Sequence, residues 1–128
     1  MICLIVDDDA DTRDTVAMLL SSQGVAVKST SNLYGALDIL KEPRERIDMM
    51  LLDWNLPGMP MAEFLEEVKR IRPNVAIVLS TAAFRVEEKA RQHGLNWYLP
   101  KPILPESLQE LINRIENSRG RNASSGAA

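Results

Sequence analysis

Four aspartates in this chain stand where two apolar runs end. Residues 7–9 are all aspartate and directly follow the run at residues 2–6, and Asp53 directly follows a second run. Carboxylates this close repel each other unless a cation bridges them. Magnesium is such a cation, because it binds one or two carboxylates and completes its shell with waters and phosphate oxygens. The pattern therefore predicts a metal role for Asp8.

These acids also have purely structural interpretations. An aspartate before a helix accepts backbone N–H bonds as an N-cap, and acids in the first turn are favoured by the helix dipole. Asp9 or Asp11 suits that role, but a cap does not need three consecutive acids. For Asp53 the alternative is a turn-forming aspartate after a buried strand, and taken alone that alternative is as good as a chemical role.

Hydroxyl and ammonium groups end two further apolar segments. Ser80 and Thr81 close the segment "VLSTAA", and Lys101 lies in "YLPKP". With the acids they form the set that phosphoryl transfer requires. Asp53 would be the nucleophile, a cation and Lys101 would neutralise the phosphoryl oxygens, and Thr81 would hydrogen-bond one of them. Taken singly, Lys101 also fits a surface lysine and Thr81 a strand-end hydroxyl.

The elements that must position these groups follow from the hydrophobic pattern. Short apolar segments alternate about five times with segments whose apolar residues recur at i, i+3, i+4 and i+7, the period of a helix. The strands are predicted at residues 2–6, 25–27, 49–52, 75–79 and 97–99. This alternation predicts an α/β fold in which helices cover both faces of a parallel sheet.

The expected fold is a flavodoxin-like, doubly wound (βα)5 arrangement with a five-stranded parallel sheet of order 2-1-3-4-5. In that order the ligand site lies at the carboxyl ends of strands 1 and 3. Residues 7–9 end strand 1 and Asp53 ends strand 3. The fold therefore predicts that the aspartates converge in one pocket.

The composition is that of one globular domain with no special partner. The chain has 128 residues, 45% of them hydrophobic, and a net charge of −3, which gives no case for nucleic acid or membrane binding. Cys3 lies in an apolar run, so we expect a buried thiol and a reducing, cytoplasmic home. Residues 118–128 are small and polar, and we predict a domain at 1–117 followed by a disordered tail or linker stub.

At these residues the sequence resembles the receiver domain of two-component response regulators, over residues 1 to about 117. "VDD" matches the acid pair after strand 1, "DWNLPGM" the phosphoacceptor segment, "TA" the switch hydroxyl and "YLPKP" the lysine motif with its preceding aromatic. Each motif is weak alone. Their order and separations make the set specific.

The resemblance implies a metal-dependent phosphorylation site. A histidine kinase or phosphotransfer protein would phosphorylate Asp53. Mg²⁺ would be held directly by Asp8 and Asp53, by the backbone carbonyl of Asn55, and mainly through water by Asp7.

The resemblance also implies a signalling switch that catalyses only its own phosphorylation and dephosphorylation. Thr81 would move toward the phosphate and Tyr98 would rotate inward, so the surface of helix 4, strand 5 and helix 5 would be remodelled. A phosphate adds about −1.5 to −2 charges, which is enough to bias a two-state loop. The partners would be the phosphodonor and a downstream protein or C-terminal output domain, and a phosphorylation-dependent dimer is left open.

The chain departs from the family pattern around the output surface. Pro60-Met61 stands where the family commonly has Asp-Gly, which predicts a stiffer loop after Asp53. The stretch from Thr81 to Lys101 is about two residues shorter than usual, so the length of helix 4 is open and Ser80 is a minor rival to Thr81. Ile103 replaces the usual aromatic after "KP".

Three other functions fit parts of the pattern. A degenerate receiver that binds partners without phosphorylation would explain the altered loops but not the intact acid, hydroxyl and lysine set. A small Mg²⁺-dependent phosphatase would pass through an aspartyl phosphate, but it usually has a second acid where this chain has Asn55. A flavin carrier is disfavoured, because an acidic site would repel the flavin phosphate.

Overall fold

A computed structural model describes the backbone of residues 1–82 and 85–127, with side chains as far as Arg119. Strands and helices alternate along the chain. They are β1 (Ile2–Val6), α1 (Ala10–Ser22), β2 (Ala26–Thr30), α2 (Leu33–Lys41), β3 (Met49–Asp53), α3 (Met61–Ile71), β4 (Ala76–Thr81), α4 (Val86–Gln92), β5 (Trp97–Pro100) and α5 (Pro105–Ala127). The alternation predicted from the apolar runs is confirmed.

The five strands form one parallel sheet in the order β2-β1-β3-β4-β5. The predicted fold class and strand order are therefore confirmed. Successive strands are added on one side of β1 and then on the other, so β1 and β3 are neighbours where the winding of the sheet reverses. Val6 of β1 pairs with Leu52 of β3 near the carboxyl ends of both strands. This pairing brings the residues that follow each strand to the same edge.

The sheet separates two hydrophobic cores, and successive residues of the central strands enter them alternately, as the period of a strand requires. Leu4 and Leu52 pack with α2, α3 and α4 on one face. Cys3 and Leu51 pack with α1 and α5 on the other face. Because β1 and β3 are covered on both sides, they read in the sequence as continuous apolar runs. Cys3 is fully buried, as predicted.

Two glycines follow the ends of helices. Gly24 follows α1 with φ of 81° and Gly94 follows α4 with φ of 69°, a left-handed conformation that costs glycine little. His93 is the C-cap of α4, whose seven residues make it the shortest helix in the described part of the chain. Pro60 precedes α3 without a side-chain capping bond.

Helix α5 continues past the predicted boundary at residue 117. Arg119 binds the opposite, amino edge of the sheet: it donates to the carbonyl oxygens of Asp48 and of Asn74, the latter at 2.8 Å. The boundary between a domain and a tail stays a prediction, because side chains 120–128 lie outside the described residues. Among the described helices, none combines the length and apolar character needed to cross a membrane.

Candidate functional site

Three aspartates converge at the carboxyl edge of the sheet. Asp7, Asp8 and Asp53 each offer one carboxylate oxygen, and these oxygens lie within 4.8 Å of one another. Asp7 and Asp53 are 4% and 9% exposed, whereas Asp8 is open to solvent. The predicted convergence is confirmed, and it follows from the adjacency of β1 and β3. An all-oxygen, partly open cluster of this kind suits a hard cation that keeps some of its waters.

Lys101 enters this cluster from the end of β5. Its Nζ donates a hydrogen bond to Asp7 Oδ2 at 2.8 Å and lies 3.6 Å from Asp53 Oδ2. Burial opposes the charged lysine, but the hydrogen bond to Asp7 and the charges of Asp53 and Asp7 outweigh it, so the pKa of Lys101 is raised. The lysine therefore stays an ammonium and partly compensates the acids.

The carboxyl of Asp53 is only partly compensated by its surroundings. Burial raises the pKa of its carboxyl above the ordinary value, Lys101 opposes that rise, and the neighbouring charge of Asp7 reinforces it. The backbone N–H of Asn55 also donates to this carboxylate. A carboxylate held ionised at some cost is poised to gain from a cation or a covalent partner.

The third acid of the consecutive run has the capping role. Asp9 is the N-cap of α1, and its carboxylate accepts from the Asp11 N–H at 3.1 Å and from the Thr12 hydroxyl at 2.8 Å. The hydrogen bond from Thr12 lowers the pKa of Asp9. The capping interpretation is thus confirmed for Asp9. Asp7 and Asp8 lie with Asp53 in the acidic cluster, where the metal role stays a prediction.

Two hydrogen bonds, one to its side chain and one to its backbone, hold Asp7 in place. Its Oδ1 accepts the N–H of Asp9 at 2.9 Å, and the guanidinium of Arg13 donates to its carbonyl oxygen at 2.8 Å. The sequence analysis did not identify Arg13. No local sequence pattern predicts this contact, because it depends on where α1 lies relative to the end of β1.

The two hydroxyls at the end of β4 face opposite sides of the sheet. Ser80 pairs with Asp53 in register and shares its face, while Thr81 shares the face of Tyr98, since Tyr98 pairs with Leu79. Ser80 and Thr81 are each 1% exposed, and Tyr98 is 37% exposed. The placement of Thr81 and Tyr98 on one face fits a coupled pair, and their roles stay predictions.

Trp54 connects the acidic cluster to α4. The ring of Trp54, next to Asp53 in the chain, lies 4.8 Å from the ring of His93, and Lys89 Nζ lies 4.9 Å from the Trp54 ring centroid. A cation over an indole face is attracted by the ring quadrupole. Nothing in the local sequence pattern predicts the contact between Trp54 and His93, because the two residues lie far apart in the chain.

The comparisons with known proteins agree with this geometry. Residues 3–113 match the family model described as the response regulator receiver domain. The chain belongs to this family, whose members are phosphorylation-dependent switches in two-component phosphorelay signalling. The interaction-module and phosphatase alternatives are therefore not needed.

Individual relatives extend that assignment. The chain is 32% identical over 117 residues to the phosphate regulon transcriptional regulatory protein PhoB of Escherichia coli (strain K12), covering 88% of this chain and 49% of PhoB. It is 27% identical over 113 residues to sporulation initiation phosphotransferase F of Bacillus subtilis (strain 168), covering 87% of this chain and 90% of that protein. The chain thus spans about half the length of PhoB.

A solved structure gives the same answer for the fold. The CheY-like response regulator receiver domain protein of Methanospirillum hungatei JF-1 superposes with a TM-score of 0.81 at 26% identity, over 94% of this chain and 97% of that chain. A BeF3-activated DrrB receiver domain superposes with a TM-score of 0.75, also at 26% identity, over 91% of this chain and 97% of that one.

Proposed function

We propose that Asp53 is the phosphoacceptor of this receiver domain. One carboxylate oxygen of Asp53 attacks the phosphorus of the donor, the bond from phosphorus to the leaving group breaks, and the leaving group departs with the electron pair. The carrying observation is the cluster itself: a buried carboxylate at a strand end, two more carboxylates within 4.8 Å, and an ammonium 3.6 Å away.

We propose that Mg²⁺ is held by Asp8 and Asp53 directly, by the backbone carbonyl of Asn55, and by Asp7 mainly through water. This division is supported by the exposure of Asp8 and by the hydrogen bonds that the Asp7 carboxylate already accepts from the Asp9 N–H and from Lys101. When bound, the cation supplies positive charge beside the oxygens on which charge develops. Lys101, which follows β5, supplies a second positive charge.

The signal then passes through the face shared by Thr81 and Tyr98. A phosphoryl group on Asp53 offers new acceptor oxygens, toward which Thr81 moves, and Tyr98 rotates inward from its half-exposed position. The surface of α4, β5 and α5 changes as a result. The short α4 and its contact with Trp54 support α4 as the part that responds.

The partners of this switch follow from its chemistry. The phosphodonor is a histidine kinase or phosphotransfer protein in the cytoplasm, and the output is a downstream protein or a C-terminal output domain. The similarity to PhoB, of which this chain covers about half, and to sporulation initiation phosphotransferase F supports both kinds of output.

Intact mass after incubation with acetyl phosphate tests the assignment. We expect a gain of one phosphate, about 80 Da, that requires Mg²⁺ and is absent in Asp53→Asn. Asp48→Asn is the matched control, because Asp48 is a buried acid five positions earlier, beside the other end of β3, and it should be labelled normally. Labelling that persists in Asp53→Asn would move the acceptor to another residue.

A further inference from the structure

A buried hydroxyl lies beside Asp53 with no hydrogen-bond partner among the described residues. Ser80 is 1% exposed, and its Oγ makes no hydrogen bond within the part of the chain that the structure describes. A buried hydroxyl without a hydrogen bond is costly, so native proteins rarely keep one. The group therefore calls for a partner that arrives in another state of the protein.

Ser80 belongs to a row of polar side chains across three strands. Asp53 pairs with Ser80, and Asp7 is the next position after the pair Val6–Leu52. Residues in register on neighbouring parallel strands share a face and lie about 4.8 Å apart. The order across the sheet is therefore Asp7 on β1, Asp53 on β3 and Ser80 on β4.

The side chain of Lys101 must cross this row. It starts after β5, which lies beyond β4, and its Nζ ends 2.8 Å from Asp7 and 3.6 Å from Asp53. The resting ammonium is thus at the far end of the row from Ser80. Any shift of the ammonium from Asp7 toward Asp53 brings it closer to β4.

We propose that Ser80 is a positioning residue that holds Lys101 in the phosphorylated state. This inference rests on the proposed function of Asp53. Negative charge on the phosphoryl group draws the ammonium away from Asp7, and Ser80 Oγ then accepts one of its three N–H bonds. The other N–H groups stay available for the phosphoryl oxygens.

The proposal gives Ser80 opposite effects in the two states. In the resting protein the hydroxyl is an uncompensated buried group, so its removal should leave the fold equally stable or more stable. During phosphorylation it orients the lysine, so its removal should slow the reaction. A serine that only packs the strand would instead lose stability when truncated.

The test follows the time course of phosphorylation by acetyl phosphate at saturating Mg²⁺, with intact mass as the readout, in the wild type and in Ser80→Ala and Ser80→Thr. We expect a rate about fivefold lower in Ser80→Ala, the factor carried by one hydrogen bond of ordinary net strength. Ser80→Thr keeps the hydroxyl and should stay within about twofold of the wild type. Mg²⁺ affinity, read from Trp54 fluorescence, should change less than about twofold in either variant, the scale below one ordinary hydrogen bond.

Urea unfolding of the unphosphorylated variants supplies the second readout. Ser80→Ala should unfold at the wild-type urea concentration or higher. Val78→Ala is the matched control, because Val78 lies on the same strand and face two residues earlier and is fully buried. It should unfold at lower urea and be phosphorylated at the wild-type rate.

Three outcomes would overturn the proposal while leaving the proposed function intact: equal phosphorylation rates in the wild type and Ser80→Ala, equal slowing in Ser80→Thr, or a parallel loss of Mg²⁺ affinity and rate. A wild-type chain that gains no phosphate would instead overturn the proposed function, and this inference with it. The mass of the wild type therefore distinguishes the two failures.

Discussion

Strand β3 has a buried aspartate at or beside each of its ends, and the two acids have different hydrogen-bonding and charged neighbours. Asp48, just before the strand, accepts from the Ile2 N–H at 2.8 Å and from Arg46 Nε at 3.3 Å, with Arg119 Nη1 3.9 Å away. Asp53, its last residue, has two other carboxylates within 4.8 Å and a lysine at 3.6 Å that is hydrogen-bonded elsewhere.

The difference lies in how far neighbouring donors compensate the charge of each acid. Asp48, at the amino edge of the sheet, has hydrogen-bond donors within the protein. It links the start of β3 to β1 and to α5. At the carboxyl edge, negative charge exceeds what the described donors compensate, and burial raises the pKa of Asp53. That excess of negative charge favours the binding of a cation.

Removing the two acids should separate labelling from stability, and this is the largest expected contrast. Asp53→Asn should lose phosphorylation entirely. Asp48→Ala should be phosphorylated but lose about 2–3 kcal/mol of unfolding free energy, because it leaves the Ile2 N–H and two arginines without their carboxylate. Urea unfolding and intact mass measure both properties. A stable Asp48→Ala protein would contradict the structural role of Asp48.

The exposed acid of the cluster should control metal affinity. Asp8→Ala should weaken Mg²⁺ binding more than about tenfold, because it removes a charged ligand, with Trp54 fluorescence as the readout. Asp14→Ala is a suitable control, since Asp14 is an exposed acid on α1 outside the cluster. Unchanged Mg²⁺ affinity in Asp8→Ala would remove Asp8 from the metal site.

Lys101 should oppose the metal while assisting the phosphoryl group. Its ammonium donates a hydrogen bond to the Asp7 carboxylate in the resting protein. Lys101→Ala should therefore bind Mg²⁺ as tightly as the wild type or about two- to fivefold more tightly, the effect of removing one nearby cation. The same variant should be phosphorylated slowly. If Lys101→Ala loses Mg²⁺ affinity, the lysine supports the metal site and the interpretation of its ion pair is wrong.

The pH dependence of stability gives the smallest expected effect. Because the folded pKa of Asp53 is raised, its contribution to stability is fully present below the unfolded carboxyl pKa of about 3.9 and is lost as the pH rises through the folded value. In chelator at pH 7, Asp53→Asn should therefore be more stable than the wild type, by on the order of 1 kcal/mol.

The matching measurement is urea unfolding of both proteins between pH 7 and pH 4. The advantage of Asp53→Asn should shrink as the pH falls, because the wild-type carboxyl becomes protonated. Saturating Mg²⁺ should reduce or reverse it at pH 7, because only the wild type keeps the full ligand set. An advantage that does not change with pH would point to packing at residue 53 rather than to charge.

The sequence alone determined the strands, the sheet order and the edge at which the acids meet. Continuous apolar runs such as residues 2–6 arise because central parallel strands are buried on both faces. Parallel strands also place all their carboxyl ends at one edge, so Asp7, Asp8 and Asp53 could be brought together without coordinates. The family motifs added the switch movements expected of Thr81 and Tyr98.

Only the tertiary structure decided which groups pair. It assigned Asp9 to the cap, Lys101 to Asp7, Arg119 to the edge near Asp48 and His93 to Trp54, and it left Ser80 without a partner among the described residues. The physical reason is the separation along the chain over which each kind of information acts. Hydrophobic periodicity fixes the face on which a residue lies, whereas a hydrogen bond or ion pair depends on about an ångström between residues far apart in the chain.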